Sequence, residues 1–399
     1  MKQPSRRSTP NLLNKLLKVY LKIFAPQKST SSVIFYLFSI SFIFRKDVKL
    51  MEKYNSFRPG QVWLDTDGNR IQAHGGNIIY HEGKFWWFGE NKEKSQSEWE
   101  IWHWGIRLYS SDDLYNWKSE GIIAGPDVDD PTSPLHPLSK MDRPHMLYNE
   151  KNKEFVMWIK IMGDNGRDQY MVILTAPDIH GPFKIKHSVH PGGFLSGDFD
   201  LVKDPDSGIA YIMFERVHCS MIIMPLTEDY TDVTGEYTEF FEGRRVPFVR
   251  EAPAIFRRNN KWYMFTSGTT AKFPNPTESA SADSLTGPWT EHGESCIGDV
   301  KRTTFDSQVA CVIKIPGKDF YIAAADRWLL DIDPSWPNFM DVFDSWYDKT
   351  KEPLLPQDMR KLTAKNTSIA DYVWLPVSFD EDGVPRLKWY DEWRWEDFV

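Results

Sequence analysis

The stretch Ile78 to Gly89 reads IIYHEGKFWWFG: an apolar run, a short polar turn with Gly and Lys, then an aromatic-rich run. Alternating β-branched and aromatic residues around a turn former that accepts positive φ predict a strand, a tight turn and a second strand. The phrase returns as MLYNEKNKEFVMW (146–158), LVKDPDSGIAYIMF (201–214), IFRRNNKWYMFT (255–266) and VIKIPGKDFYIA (312–323). Its turns lie about 53 to 70 residues apart, too far for one hairpin and suited to a four-stranded blade repeated around an axis. Five copies predict an all-β chain folded as a five-bladed β-propeller, with one axial pocket where polar side chains of different blades meet.

Between the hairpins runs a second phrase, YSSDDLYNW (109–117), LTAPDIHGPF (174–183) and ASADSLTGPW (280–289), with a degenerate copy at LTEDYTDV (226–233). Each ends an outer strand at an acidic turn and places an aromatic to pack between sheets. Tyr372–Pro376 and Leu387–Trp389 are expected to return to the first blade and close the ring, which removes sheet edges. Lys351–Ala364 is the only helix candidate, read as loop or short helix. Most of the 17 Trp are assigned to packing between blades, the rest to stacking on sugar rings.

The formal charge is −8, but residues 1–50 hold ten Lys or Arg and one Asp, leaving 38 basic against 55 acidic residues in the remainder. An acidic body argues against nucleic acid or anionic polymers as partners. Cys219, Cys296 and Cys311 are odd in number and far apart, so no disulfide framework or zinc spacing follows, and they suit a reducing compartment. Residues 1–28 are basic, and Val33–Phe44 is a twelve-residue apolar run closed by Arg45 and Lys46. A bilayer span needs about 20 apolar residues. Residues 1–50 are therefore read either as a short membrane anchor, with residues 29–44 in the membrane, or as an extension upstream of a working start at Met51. The second reading is preferred, since the first blade begins close to Met51, and it would make the protein cytoplasmic. Residues 51–399 are taken as the propeller domain.

In a propeller the innermost strand of each blade lines the axis, so charged residues at its start point into the pocket. Glu90, Asp142, Asp198, Glu251 and Gln308 occupy comparable places. Glu251, before an apolar strand, is the leading candidate for a desolvated carboxyl of raised pKa that protonates a leaving oxygen. Asp142 would orient a substrate hydroxyl and tune that acid, and Asp198 follows a Gly that permits close approach of a ligand. His74, followed by two glycines, is read as a substrate contact or as a buried, hydrogen-bonded histidine. No metal, GxSxG or phosphate-loop motif is present. No cofactor is expected, and an axial structural ion is left open.

AHGG (73–76), FGEN (88–91), SSDDLYNW (110–117), DRPHMLYN (142–149), SGDFDLV (196–202), EAPAIF (251–256), TSGTT (266–270), TFDSQ (304–308), DRW (326–328) and YVWLP (372–376) resemble, in order, glycoside hydrolase family 43 and most of all its exo-β-1,3-galactanase branch. The resemblance covers roughly residues 60–395 and implies a propeller that hydrolyses a glycosidic bond with inversion. It implies Glu251 as general acid, Asp142 where the branch usually has Glu, and Asp198, Glu90 and Thr270 at the sugar, with Tyr170 a further substrate-binding candidate. Gln308 matches the position from which this branch works without the usual blade-one aspartate, which is absent here too. An amide is a poor proton acceptor, so Gln308 is expected to position the water or act through its imidic form, with Asp306 or His74 as substitutes. Lys272 stands where the branch has Trp, and Arg216–Ser220 lacks its paired Asn; Lys272 with Arg216 would suit an acidic or modified sugar. The expected function is an exo-acting glycosidase removing a galactose-like sugar from a β-linked, galactan-type oligosaccharide. The alternatives are a non-catalytic carbohydrate-binding propeller, an arabinofuranosidase or xylosidase activity of the same family, and a phosphorolytic enzyme using Arg143, Arg250 and Lys272.

Overall fold

Two-residue turns set the inner hairpins of blades one and four. In the computed structural model, which describes residues 53–97, 100–163, 166, 168–358, 362 and 366–399, His81 pairs with Lys84 across Glu82 (φ 49°) and Gly83 (φ 81°). Arg258 pairs with Lys261 across Asn259 (φ 49°) and Asn260 (φ 61°). Positive φ at both central positions matches the twist of the flanking strands, so the recurring phrase folds as the inner hairpin of each blade.

Blade one is β1 (His74–His81), β2 (Lys84–Glu90), β3 (Ile106–Ser111) and β4 (Lys118–Ala124), and blade two is β5 (Lys140–Asn149), β6 (Glu154–Met162), β7 (Gln169–Ala176) and β8 (Lys184–Val189). Blade three is β9 (Ser196–Lys203), β10 (Ala210–Arg216), β11 (Ser220–Pro225) and the short β12 (Thr238–Phe240). Blade four is β13 (Arg250–Arg258), β14 (Lys261–Gly268), β15 (Glu278–Ala282) and β16 (Thr290–Glu294). Blade five runs outward through β18 (Gln308–Lys314), β19 (Tyr321–Arg327), β20 (Asp371–Phe379) and β21 (Pro385–Lys388), with β17 (Cys296–Ile297) added in parallel at its edge. The all-β, five-bladed propeller read from the repeats is the architecture of the protein.

Each interface between blades carries its own apolar core. Phe88, Leu108 and Met157 lie between blades one and two, Trp158, Phe199 and Phe214 between two and three, and Met213, Trp262 and Met264 between three and four. Phe256, Phe265 and Leu375 lie between four and five, and Trp87, Trp117, Trp374 and Trp393 between five and one. Burial of large flat side chains is what holds neighbouring sheets together.

One expectation is corrected. Tyr372–Pro376 and Leu387–Lys388 do not join blade one; they lie in β20 and β21, where Val377 pairs with Leu387. The ring closes instead through a β-bridge between Phe57 and Trp393, packed among Trp63, Trp87 and Trp374. The stretch Lys351–Ala364 falls partly outside the described residues, at 359–361 and 363–365; the helix described is α1 (Phe339–Tyr347), which the sequence reading did not single out, capped by the Asn338 side chain accepting from the Met340 N–H. It packs with Phe273, Trp328 and Leu329 as a small sixth core above blades four and five. The propeller unit spans Lys53–Val399. The extension at residues 1–50 lies outside the described residues, among which no helix is long and apolar enough to cross a membrane.

Candidate active site

The inner strands begin with a shared distortion. Register breaks between His74 and Asn77, between Asp142 and His145, and between Glu251 and Ala254. Within those bulges Gly75 (φ 60°), Arg143 (φ 52°) and Ala252 (φ 54°) are left-handed. Pro144 and Pro253 follow the last two, where a residue without an N–H leaves no ladder donor unpaired. A bulge re-aims the side chain before it, and holding Arg143 and Ala252 at positive φ costs about 1–3 kcal/mol each, strain of a kind that gathers at functional sites. The residues facing these starts on the second strands are equivalent too: His74 pairs with Glu90, Asp142 with Lys160, Ser196 with Arg216, Glu251 with Ser267 and Gln308 with Asp326.

Asp142, Asp198, Glu251 and Gln308 from these starts, with Glu90 from the end of β2, line a cavity of about 360 Å³. Five of the eight predicted site residues therefore share one hollow. The other three do not line it. His74 is fully buried, its Nδ1 2.9 Å from Asp326 Oδ1 and its ring stacked 4.7 Å from Tyr372, so the buried-histidine reading holds. Thr270 is likewise buried, donating from Oγ1 to the Phe273 carbonyl at 2.6 Å and accepting from Asn275 Nδ2 at 2.7 Å; its neighbours Thr269 and Ala271 reach the cavity in its place. Tyr170 packs beside His190 and leaves the lining to Gln169. Neither proposed substitute base, Asp306 or His74, lines the cavity. Arg216 is paired with Glu239 at 2.9 Å outside it, and Arg250 is buried against Thr266 and Glu278. Of the suggested anion-binding cations, only Arg143 and Lys272 line the cavity.

Charged groups are arranged around Glu251. Asp198 is gripped by Arg143 Nε at 2.9 Å and Lys160 Nζ at 2.7 Å. Burial alone would raise its pKa, but the two cations hold it down to about 2. Lys160 also reaches Asp142 Oδ2 at 3.2 Å, and Trp102 Nε1 donates to Asp142 Oδ1 at 3.0 Å, which sets that carboxylate's orientation. Glu251 is pushed well above the ordinary carboxylate range, first by desolvation and then by the anions Asp198 and Glu215, against the opposing pull of Lys160 and Arg143. Burial also raises Glu90, to about 6, although Lys92 Nζ lies 2.5 Å away. Gln308 is immobilised, its Nε2 donating to Ser267 Oγ at 2.9 Å and its Oε1 accepting from Trp328 Nε1 at 3.4 Å. Lys92 and Lys272 place their ammonium groups 4.9 and 4.0 Å from the Trp102 ring centre.

The sequence reading missed Lys160 and Glu215, yet a signal for them exists. FGE, WIK and FER each place a charge near the end of a second strand after an aromatic-rich run, and the register puts Glu90 and Lys160 at equivalent places with Glu215 one residue from the third. Trp102 comes from a loop without a repeat to flag it.

Comparison with known proteins settles the lineage. The sequence profile of glycosyl hydrolases family 43 matches residues 94–321, more than half of the chain. The chain belongs to this family. Among solved structures, a β-1,3-galactosidase of family 43 shares 29% identity over 87% of this chain at a TM-score of 0.70, and this chain spans 65% of its length. A second family-43 β-1,3-galactosidase, solved with galactodeoxynojirimycin, shares 30% identity over 85% of this chain and all of its own, again at 0.70. A variant exo-β-1,3-galactanase from Phanerochaete chrysosporium, solved with β-1,3-galactotriose, shares 26% identity over 85% of this chain and 68% of its own, at 0.69. No curated protein sequence matches the chain. The family-43 profile embraces Asp142, Asp198, Glu251 and Gln308, whereas α1 lies beyond it.

Proposed function

We propose that the protein is an exo-acting, inverting glycosidase that removes a galactose-like residue from the non-reducing end of a β-linked, galactan-type oligosaccharide. The observation that carries this reading is the buried Glu251 carboxyl, its pKa raised by desolvation, in the same cavity as the fixed amide of Gln308. An inverting site needs an acid on the leaving oxygen and a water held on the opposite face of the ring. Glu251 donates its proton to the departing oxygen as the bond breaks, and the carboxylate that forms is stabilised by Arg143 and Lys160. Gln308 Oε1 holds the attacking water, its amide fixed by Ser267 and Trp328; as the water oxygen bonds to the anomeric carbon and the bond to the leaving oxygen breaks, the proton the water sheds passes to solvent water. Asp198 and Asp142, each paired with Lys160, accept hydrogen bonds from sugar hydroxyls. The galactose assignment draws on the likeness to the β-1,3-galactosidases and the galactanase.

The test is galactose release from β-1,3-galactobiose, with the product anomer followed by NMR. The reading expects α-galactose first, and a loss of about 10²- to 10⁴-fold in kcat for Glu251→Gln, the usual range for general acid catalysis. Binding of the disaccharide without turnover by the unaltered protein would establish a non-catalytic binding propeller instead.

A further inference from the structure

We propose that Tyr347, at the end of α1, is the platform for the leaving-group sugar, so that the site selects oligosaccharides whose second residue is a pyranose with an uncharged C–H face. The inference rests on the exo-galactosidase reading and names its substrate more closely. Tyr347 lines the cavity and is 53% exposed, whereas Glu90 and Asp198 are 1% and 8% exposed. Tyr347 therefore stands at the mouth and the carboxylates at the closed end. A terminal sugar held among the carboxylates projects its leaving residue outward, past this ring.

The platform is built before substrate arrives. Phe343 lines the cavity beside it, with ring centres 6.4 Å apart, and is itself backed by Trp346 at 4.7 Å. Asp344 of α1 is tied to Arg245 and, at 2.5 Å, to Lys351, while Asn338 Nδ2 donates to the carbonyls of Lys301 and Arg302 at 2.6 and 2.8 Å. Ordering the aromatic wall in advance lowers the entropy cost of binding. Lys140 and Gln169, from blade two, contribute polar groups to the same cavity. An apolar face together with hydrogen-bonding groups matches a pyranose, which has C–H faces and a hydroxylated rim.

The test uses calorimetric binding in the Glu251→Gln protein, which holds substrate without consuming it. Adding Tyr347→Ala should weaken β-1,3-galactobiose about three- to tenfold, the worth of one aromatic contact, and leave galactose binding unchanged; Tyr347→Phe should restore the disaccharide. Unaltered disaccharide binding, or an equal loss for galactose and galactobiose, would overturn the proposal. Failure of the hydrolase reading would show separately, as absence of galactose release by the unaltered protein.

Discussion

Replacing Lys160 with Met tests the charge arrangement at its centre. The ammonium lies 2.7 Å from Asp198 and 3.2 Å from Asp142, contacts worth roughly 6 and 5 kcal/mol at an effective dielectric constant of about 20 before desolvation is counted. Burying the ammonium offsets most of that, and removing one partner of such a group costs about 3–5 kcal/mol, because the remaining charges are left in the interior. Asp198 keeps Arg143 and Asp142 keeps the Trp102 N–H, which places the expected loss near 3 kcal/mol in urea-induced unfolding at pH 7. A second readout separates electrostatics from packing. Lys160 works against the elevation of the Glu251 pKa, so its removal should raise that pKa further. The acid must be protonated to act, so the alkaline limb of the kcat/KM profile should move to higher pH. A stability loss below 1 kcal/mol, or an alkaline limb moved to lower pH, would refute the reasoning.

Gln308→Ala frees the water that the amide holds and should lower kcat on galactobiose by 10²-fold or more, as expected for misplaced reactants, with little change in galactose affinity; full activity in this variant would remove Gln308 from the mechanism. Gly75→Ala should destabilise the protein by more than 1 kcal/mol in thermal unfolding and depress activity. A Cβ there would meet Glu90 Oε1 at 2.6 Å in a left-handed residue (φ 60°), and substitution at such a φ is costly. A neutral effect would mean that the bulge at the start of β1 relaxes freely.

The blades were legible because their turns demand particular residues: Glu-Gly at 82–83 and Asn-Asn at 259–260 sit between runs that alternate at the period of a strand. The carboxylates at the starts of the inner strands were legible by the same repetition. Of the two readings of His74 the sequence could not choose the buried one, which its glycines favour by allowing close packing: a Cβ on Gly76 would fall 1.8 Å from the Phe88 carbonyl oxygen. Thr270 shares its loop with residues that do line the cavity, and only its contacts with Phe273 and Asn275 reveal that its hydroxyl is already engaged. Lys160 and Glu215, on the second strands of blades two and three, escaped notice because pairing register, not order along the chain, sets Lys160 beside Asp142. α1 carries only nine residues after a Pro-containing loop, too short a stretch for its apolar spacing to stand out.

The seam between the fifth and first sheets has a mechanical implication. Phe57 and Trp393 bridge there, Ser56 and Arg58 reach Glu392, and Tyr115 donates to Glu396. Side chains near both ends of the toroid thus act as its clasp, and Glu90 and Gln308 stand on opposite sides of that joint. Loosening the clasp at residues remote from any sugar would let the two halves of the reaction centre drift apart, so catalytic precision in this enzyme depends on how firmly the circle is fastened.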